Sequence, residues 1–402
     1  MASAPAPLSA ADPIVILSYA RTPMGSFQGC LSGASATQLG AAAVRGAVER
    51  AGVAAAAVER IYMGCVLSAG LGQAPARQAA IGAGLGAHVE ATTVNKMCGS
   101  GMQAAIMGAE ALAAGSVDLL VAGGMESMTN APYLMTKHRG GARIGHDRIL
   151  DHMMLDGLED AYDPGRAMGT FAEDIAREYQ FTREAMDDYA IASLTRAQQA
   201  QASGAFDREI VPVEVAGRKG STTVTLDEQP ARGDVAKIPT LKAAFAKDGA
   251  ITAANSSSIS DGAAALVMTR QSVADRLGLM PIARIVALGA HAHEPARFST
   301  APVDAIRKTL DKAGWSADSV DLFEVNEAFA VVAMIAMRDL GLSHDRVNIH
   351  GGACALGHPI GASGARVLAT LLSALETTGG RRGVASLCIG GGEATAMAVE
   401  RL

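Results

Sequence analysis

The chain has 402 residues, and 49% of them are hydrophobic, which provides enough apolar material for two or three domain-sized cores. Its formal net charge of −6 gives no general attraction to nucleic acid or to anionic membranes. No apolar run reaches the roughly 18 residues of a membrane span, and residues 1–13 lack the basic and hydrophobic regions of a signal peptide. We therefore expect a cytoplasmic protein in which residues 1–13 form a flexible tail.

The cysteines are odd in number and scattered along the chain, which argues against a disulfide framework and against paired zinc-ligand spacing. They are Cys30, Cys65, Cys98, Cys354 and Cys388. We therefore expect reduced thiols and no metal site.

Strand-like apolar runs alternate with helical patterns along the chain. The runs include IVILSY from Ile14, VDLLVAGG from Val117, ARIVALG from Ala283 and GVASLCIGG from Gly383. An amphipathic helix is predicted directly after Thr182. This alternation predicts layered α/β sheets flanked by helices.

Two distant stretches of the chain share a spacing. AGVAAAAVERIYMG begins at Ala51 and AGWSADSVDLFEVN begins at Ala313, and each places a valine seven residues after the alanine, followed by an acid and an apolar run. Downstream, Cys98–Gly101 and Gly361–Gly364 fall at nearly the same offset in the two stretches. The pattern predicts an internal duplication of one α/β unit.

Residues 129–250 match neither repeat and are richer in charge, so we expect an inserted loop domain between an N-terminal half, 14–128, and a C-terminal half, 251–402. The insert carries a basic cluster that an anionic ligand would require, although such clusters are more often solvated faces. Its members are Arg218, Lys219, Arg232, Lys237 and Lys242.

Cys98 stands where a short β-like run meets a glycine and an alanine-rich helical pattern begins. A helix N-terminus favours the thiolate, which is the nucleophilic form of cysteine. Taken alone, a free cysteine is more often a small buried hydrophobe. A catalytic interpretation therefore depends on partners elsewhere in the chain.

Three glycine-rich or polar turns supply candidate partners. His358 lies in a tight turn before a helix predicted near Gly361, and by the duplication this turn is the counterpart of the Cys98 turn. Cys388 ends a buried strand, and Gly390 after it exposes a backbone N–H suited to an oxyanion. Asn326 ends another strand, either as a hydrogen-bond donor or as a helix cap.

These segments resemble the thiolase family over nearly the whole chain. The similarity runs in order through ARTPMGSF, VNKMCGSGMQA, AGGMESM, NSSSISDGAAALV, VNEAF, GHPIGASGAR and CIGGGEA. A second cysteine in CIGGGEA, where ketoacyl-carrier-protein synthases use a second histidine, is typical of the thiolase branch. The resemblance implies a layered α/β/α/β/α fold built from two duplicated halves with an inserted loop domain.

The resemblance also implies catalytic roles at matching positions. Cys98 would carry the acyl group, His358 would take its proton, and Cys388 would remove or return the α-proton of a second acyl-CoA. Asn326, through an ordered water and together with His358, would stabilise the thioester enolate. The N–H groups of Cys98 and Gly390 would hold the tetrahedral intermediate. No metal or tightly bound cofactor is expected, and coenzyme A thioesters are the expected substrate and product.

Contacts to coenzyme A are implied for Ser257, Arg232, Met168 and Phe298, with Arg232 toward the adenosine or phosphate end. Met125 and Met128 are further candidates for the acyl pocket, although methionine more often fills core gaps. Two positions depart from the family pattern.

Ala167 stands where short-chain biosynthetic thiolases carry a histidine, and His350 stands where an asparagine is usual. Cys354 is interpreted as packing. These departures leave the size of the acyl group open.

The main prediction is an acetyl-CoA C-acetyltransferase that reversibly condenses two acetyl-CoA molecules, and the family suggests a homotetramer built from two dimers. The alternative is a 3-ketoacyl-CoA thiolase acting on longer or branched chains. A carrier-protein condensing enzyme and a non-catalytic CoA-binding member of the fold are disfavoured, because Cys98, His358, Cys388 and Asn326 all occur together.

Overall fold

The computed structural model describes residues 11–217 and 220–402. Most of the predicted tail, together with Arg218 and Lys219, lies outside the described residues. No helix in the described part of the chain is both long enough and apolar enough to cross a membrane.

The strands are β1 Ile14–Arg21, β2 Gly25–Ser26, β3 Arg60–Gly64, β4 Glu90–Val94, β5 Leu119–Ser127, β6 Tyr133–Leu134, β7 Leu150–Asp151, β8 Val213–Gly217, β9 Gly220–Val224, β10 Ser260–Arg270, β11 Ala283–Ala292, β12 Leu322–Val325, β13 Arg382–Ile389 and β14 Glu393–Arg401. The helices are α1 Ala36–Ala51, α2 Pro75–Gly82, α3 Ser100–Ala113, α4 Met168–Glu178, α5 Arg183–Ser203, α6 Glu228–Arg232, α7 Gln271–Leu277, α8 Ala301–Ala313, α9 Ala330–Leu340, α10 Ala353–Leu356 and α11 Ile360–Thr378. A π-helical turn spans Met154–Leu158.

One large mixed sheet has the order β12-β13-β14-β11-β1-β10-β5-β3-β4, with β2 paired to β10. In one half β3 is parallel to β5, β5 is antiparallel to β10, and β10 is antiparallel to β1. In the other half β12 is parallel to β13, β13 is antiparallel to β14, and β14 is antiparallel to β11. A short β1–β11 pairing joins the halves. The predicted duplication is confirmed by this repeated pairing.

Three large apolar clusters make up most of the core, because the strands are buried on both faces. Two smaller clusters lie beside α5 and around Val66 and Leu67. In β1, Ile14 and Ile16 point to a central cluster shared with α3 and α11, whereas Val15 and Leu17 point to an outer cluster under α1 and α2. A third cluster lies under α8 and α9 on the other half. The predicted order of helical and sheet layers is confirmed.

Helices α3 and α11 cross closely in the central layer, and glycine permits the approach. A Cβ on Gly364 would lie 2.2 Å from the backbone nitrogen of Met102, and one on Gly101 would lie 2.7 Å from the nitrogen of Ala365. Gly101 is the second residue of α3 and Gly364 is the fifth residue of α11, so the loops that precede the helices converge. These loops carry Cys98 and His358.

The segment from 129 to 250 is tied to the layered body by a buried ion-pair cluster. Arg21 in β1 donates from Nε to Glu209 at 2.7 Å and from its two terminal nitrogens to Asp227 at 2.7 and 2.9 Å. All three side chains are fully buried. The predicted helix after Thr182 is confirmed as α5, whose first turn is capped by the Thr182 hydroxyl.

Candidate active site

A cavity of about 400 Å³ lies where the two halves and the 129–250 segment meet. It is lined mainly by apolar side chains. Of the residues predicted from the sequence, it brings together Cys98, Met168, Ser257, Phe298, His358, Cys388 and Gly390.

Cys98 is held in a tight turn immediately before α3. The preceding Met97 adopts a φ of +46°, which L-residues rarely occupy. The Ser100 hydroxyl stabilises the turn by donating to the Met97 carbonyl at 2.6 Å and accepting from the Lys96 N–H at 2.8 Å. Gly99 is required by packing, because a Cβ there would lie 2.3 Å from Ile389. The turn therefore fixes the sulfur at the cavity wall.

The resting sulfur of Cys98 is a thiol. Burial raises the pKa of Cys98 to about 11, although hydrogen bonds from the backbone N–H groups of Gly390 and of Cys98 itself lower it. The backbone N–H groups thus favour the thiolate, as the sequence indicates, but desolvation outweighs their effect on the pKa of Cys98. Reaction at Cys98 requires a base.

His358 is held in a defined tautomer beside the cavity. Its Nδ1 lies 2.6 Å from the Ser363 hydroxyl, which itself donates to the Pro359 carbonyl at 2.9 Å. Because that hydroxyl has one proton and donates it to the carbonyl, it accepts from Nδ1–H. Nε2 is then unprotonated, and it has no hydrogen-bond partner among the described residues.

Burial lowers the pKa of His358 to about 3, so the imidazole is neutral near pH 7. The backbone around it is also fixed: its N–H donates to the Ser258 carbonyl at 3.1 Å, and Gly357 before it adopts a φ of +99°. A neutral imidazole with a free Nε2 is suited to take a proton from a thiol.

Asn326 lies behind the imidazole and not on the cavity wall. Its backbone N–H donates to the Ser386 carbonyl at 2.9 Å, and its Oδ1 accepts from Arg366 at 3.3 Å. Its Nδ2 is 3.5 Å from Nδ1 of His358 but makes no hydrogen bond to it in this tautomer, because both nitrogens carry protons. The helix-cap alternative is excluded, since α9 begins only at Ala330.

The acids around Asn326 are buried and paired. Glu324 accepts from Arg366 at 2.8 Å. Glu327 accepts from the hydroxyls of Tyr189 and Ser193, each at 2.8 Å. Both acids are therefore held by side-chain donors behind the site.

Cys388 lies near the end of β13, opposite Ala394 of β14, and is 1% exposed. Burial, and then the proximity of Cys98, raise the pKa of the Cys388 thiol well above its usual range. The chain then turns through Gly391 and Gly392, whose φ values of +95° and +86° favour glycine. The turn presents the Gly390 N–H to the Cys98 sulfur.

Three of the residues predicted to contact coenzyme A line the cavity, and the fourth does not. Met168 and Phe298 are apolar wall residues, and the Ser257 hydroxyl donates to the Ala328 carbonyl at 2.9 Å. Arg232 instead lies in a neighbouring groove of about 240 Å³, where it pairs with Glu228 at 2.9 Å.

The groove and the cavity share the wall residue Ala253. Lys237 and Cys354 also line the groove.

The acyl-pocket predictions are partly corrected. Met128 and Met168 line the cavity, whereas Met125 packs in the outer core under α1, because β5 turns its side chain to the opposite face. Ala167 lines the cavity beside Met168. His350 lies away from it, edge-on to Phe206.

Several cavity residues were not predicted from the sequence, because nothing in the local pattern distinguishes an apolar side chain that lines a cavity from one that packs in the core. They are Met154, Leu158, Phe245, Phe329 and Ile360. Across 11–217 and 220–402, no group of three or more His, Cys, Asp or Glu side chains is arranged to hold a metal ion.

Family models match both parts of the chain. The thiolase N-terminal domain matches residues 14–272 and the thiolase C-terminal domain matches residues 279–401. The chain therefore belongs to the thiolase family and is an acyltransferase.

Relatives with assigned names share nearly the full length. An acetyl-CoA acetyltransferase of Saccharomyces pastorianus is 50% identical over 395 residues, covering 97% of this chain and 99% of its own. The cytosolic acetyl-CoA acetyltransferase of Mus musculus is 47% identical, covering 97% of this chain and 98% of its own. The crystal structure of Acat5 thiolase from Ascaris suum in complex with coenzyme A superimposes with a TM-score of 0.91 at 41% identity, covering 97% of this chain and 100% of that one.

Proposed function

We propose that this protein reversibly condenses two acetyl-CoA molecules to acetoacetyl-CoA and coenzyme A through an acetyl group on Cys98. The observation that carries the proposal is the meeting of Cys98, His358 and Cys388 at one cavity, with the Gly390 N–H at the sulfur. The acetyl-CoA acetyltransferase names of relatives up to 50% identical support the choice of substrate.

In the first half-reaction, Nε2 of His358 takes the Cys98 proton, and the thiolate attacks the acetyl carbonyl. The tetrahedral oxyanion accepts hydrogen bonds from the N–H groups of Cys98 and Gly390. The C–S bond to coenzyme A then breaks, and the departing thiolate takes the proton from His358. A thioester on Cys98 remains, which divides the reaction into two ping-pong steps.

In the second half-reaction, Nε2 of His358 takes the Cys388 proton, and the Cys388 thiolate then removes the α-proton of a second acetyl-CoA. We assign the enolate oxygen to the Nε2–H of His358 and to Asn326 acting through an ordered water. The enolate carbon attacks the acetyl group on Cys98, the C–S bond to Cys98 breaks as acetoacetyl-CoA forms, and the departing Cys98 thiolate takes the proton from His358. Proximity of the two sulfurs supports this division, because the charge of Cys98 acts on Cys388 in the folded protein.

Coenzyme A would enter past Ser257, Met168 and Phe298, with Arg232 in the adjoining groove toward the adenosine or phosphate end. The shared wall at Ala253 supports a continuous path. The complex of the Ascaris suum thiolase with coenzyme A supports the same ligand. Coenzyme A thioesters thus serve as substrate and product, with no tightly bound cofactor.

We also propose a cytoplasmic homotetramer in which residues 129–250 form the inserted unit that covers coenzyme A and contributes contacts between subunits. The name of the mouse relative supports the compartment. Exposed apolar side chains in the insert support an assembly role, notably Tyr133 at 66%, Ile144 at 97% and Tyr162 at 73% exposure.

The second candidate is a 3-ketoacyl-CoA thiolase for longer or branched chains. Ala167 favours it, because this small side chain faces an apolar cavity where a histidine would take up space and add polarity. A thiolysis series of 3-ketoacyl-CoA substrates from four carbons upward, with 2-methylacetoacetyl-CoA included, separates the candidates. We expect a steep fall beyond four carbons, whereas a flat or rising profile would favour the second candidate.

The roles of the two cysteines are tested by mass spectrometry after brief exposure to acetyl-CoA. We expect one acetyl group on the peptide that contains Cys98. Cys388→Ala should still acquire the acetyl group yet lose condensation and thiolysis, since its α-carbon base is gone. Label on Cys388 or Cys354, or near-normal turnover of Cys388→Ala, would contradict the assignment.

A further inference from the structure

A fully buried carboxylate lies behind the cavity and has no place in the mechanism above. Glu126 belongs to β5 and is 0% exposed. Its Oε2 accepts from the N–H groups of Val66 and Gly361, each at 2.9 Å. Its Oε1 accepts from the N–H of Leu67 at 3.1 Å, and the Cys65 thiol donates to the same oxygen at 3.6 Å.

These donors belong to two segments that are distant in sequence and adjacent to the reacting groups. Gly361 lies in the first turn of α11, three residues after His358, and the residue that caps this helix, Pro359, makes no side-chain capping bond. Glu126 therefore supplies the acceptor that a capping side chain would otherwise provide. A Cβ on Gly361 would lie 2.6 Å from Oε2, so the contact requires glycine.

The other segment forms a wall against Cys98. Val66 and Leu67 pack with Ile360, and Met97 and Cys98 pack against this group. One carboxylate thus joins the wall beside the nucleophile to the helix start beside the base. A shift of either segment would change the position of the sulfur relative to the imidazole.

The charge of Glu126 also acts on the nucleophile. Burial raises the pKa of Glu126 to about 7, while its backbone hydrogen bonds lower it. Its negative charge in turn contributes to the raised pKa of Cys98. The titratable groups around the carboxyl are Cys65 after β3, Cys98 before α3 and His358 before α11.

We propose that Glu126 is a positioning residue for the acyl-transfer reaction: it aligns Cys98 with His358 through the 66–67 turn and the start of α11, and its charge acts on the Cys98 sulfur in addition to the effect of burial. The alignment part rests on the proposed function, whereas the effect of the charge on the sulfur does not. If Glu126 had only a structural role, its replacement would change the stability of the fold. It would change neither the alignment of Cys98 with His358 nor the protonation of the Cys98 sulfur.

The test compares Glu126→Gln with Glu173→Gln. Glutamine at position 126 removes the negative charge. Its NH₂ group, which is a donor, must also face backbone N–H groups that donate to the carboxylate in the wild type. Glu173 is a matched control, because it is 5% exposed and accepts from the N–H groups of Ala250 and Ile251 at 2.9 and 2.8 Å. The readouts are kcat for acetoacetyl-CoA thiolysis and the pH midpoint of iodoacetamide alkylation, followed on the Cys98 peptide.

For Glu126→Gln we expect kcat to fall on the order of 10- to 100-fold, because the reacting groups are misplaced. The alkylation midpoint should move down by about 0.5 pH unit or more, because removing a nearby negative charge favours the thiolate. Glu173→Gln should leave the midpoint unchanged. A folded Glu126→Gln variant with wild-type kcat, or with the midpoint of the control, would overturn the proposal.

Glu126→Asp keeps the inference testable where Glu126→Gln does not fold. Aspartate retains the charge but is one methylene shorter, so it cannot reach both segments. We expect a wild-type alkylation midpoint with reduced kcat, and an unchanged kcat would overturn the alignment. Absence of acyl transfer in the wild-type protein would refute the proposed function instead, while the alkylation midpoint would still test the charge of Glu126.

Discussion

At the residue scale, the site pairs two groups whose burial makes each of them neutral. Burial raises the pKa of Cys98 to about 11 and lowers the pKa of His358 to about 3, since both charged forms lose solvation in the apolar cavity. A thiolate and an imidazolium formed together at one wall offset each other's desolvation. In the proposed mechanism, proton transfer between them is therefore coupled to the reaction at the substrate carbonyl.

The tautomer of His358 depends on Ser363, and this dependence is testable. In Ser363→Ala, the acceptor for Nδ1–H disappears, so the proton is free to move to Nε2 and the base is lost. We expect acetylation of Cys98 by acetyl-CoA to slow on the order of 10- to 100-fold. Rapid-quench mass spectrometry of the Cys98 peptide measures this rate.

Ser373→Ala is the matched control, because Ser373 is equally buried in α11 and donates to the Ala205 carbonyl at 3.4 Å, away from the site. It should acetylate at the wild-type rate. If Ser363→Ala and Ser373→Ala acetylate equally fast, the assigned tautomer is wrong.

At the element scale, the close crossing of α3 and α11 brings the nucleophile and the base to one place. The crossing depends on Gly101 and Gly364, which stand at equivalent positions of the duplicated sequence. Each helix begins at the crossing, so the turn before it is fixed in space. The duplicated GSG and GASG motifs thus have a packing function: their glycines allow the close helix crossing that fixes the turns before α3 and α11.

Gly364→Ala should disrupt this crossing. The added methyl would lie 2.2 Å from the Met102 nitrogen, a backbone atom that cannot give way cheaply. We expect a loss of about 1–3 kcal/mol in the free energy of unfolding, or more, together with reduced acetylation of Cys98. Urea unfolding and the acetylation assay measure the two effects.

Gly140→Ala provides the comparison, since a Cβ there meets nothing within 4 Å and the backbone φ is not in the left-handed region. Its unfolding free energy should stay within about 0.5 kcal/mol of the wild type. If Gly364→Ala had the same unfolding free energy as Gly140→Ala, the two helices would be able to move apart without loss of stability.

At the scale of the whole molecule, the Arg21 cluster joins β1 of the layered body to the 129–250 segment. Arg21→Met would leave Glu209 and Asp227 buried without their cation. We expect destabilisation of about 3–5 kcal/mol, because uncompensated buried charges are costly. Thermal and urea unfolding measure the change.

Arg177→Met serves as its control, since Arg177 is 70% exposed and pairs with Asp174 at 3.3 Å on the surface. It should cost less than about 1 kcal/mol. If Arg21→Met lost no more unfolding free energy than Arg177→Met, other contacts would hold the 129–250 segment to the layered body.

The sequence by itself determined the fold class and the duplication, and it supplied the residues for which catalytic roles are proposed. These features depend on local patterns: alternating apolar runs mark strands, and Cys98, His358 and Cys388 each stand in a glycine-rich turn at an element boundary. Such turns depend on nearby residues, because glycine tolerates backbone angles and close contacts that other residues rarely accept. These turns can therefore be recognised from a single amino-acid sequence.

Only the tertiary structure decided the protonation states, the cavity wall and the supporting residues. The Cys98 thiol is neutral because of desolvation, which depends on side chains contributed by distant segments. Met125, within β5, faces the outer core, while Met128, just beyond the end of the strand, faces the cavity, a difference that depends on how the chain packs after the strand. Glu126 acquires its partners from segments 60 and 235 residues away, and local sequence patterns do not encode contacts over such separations.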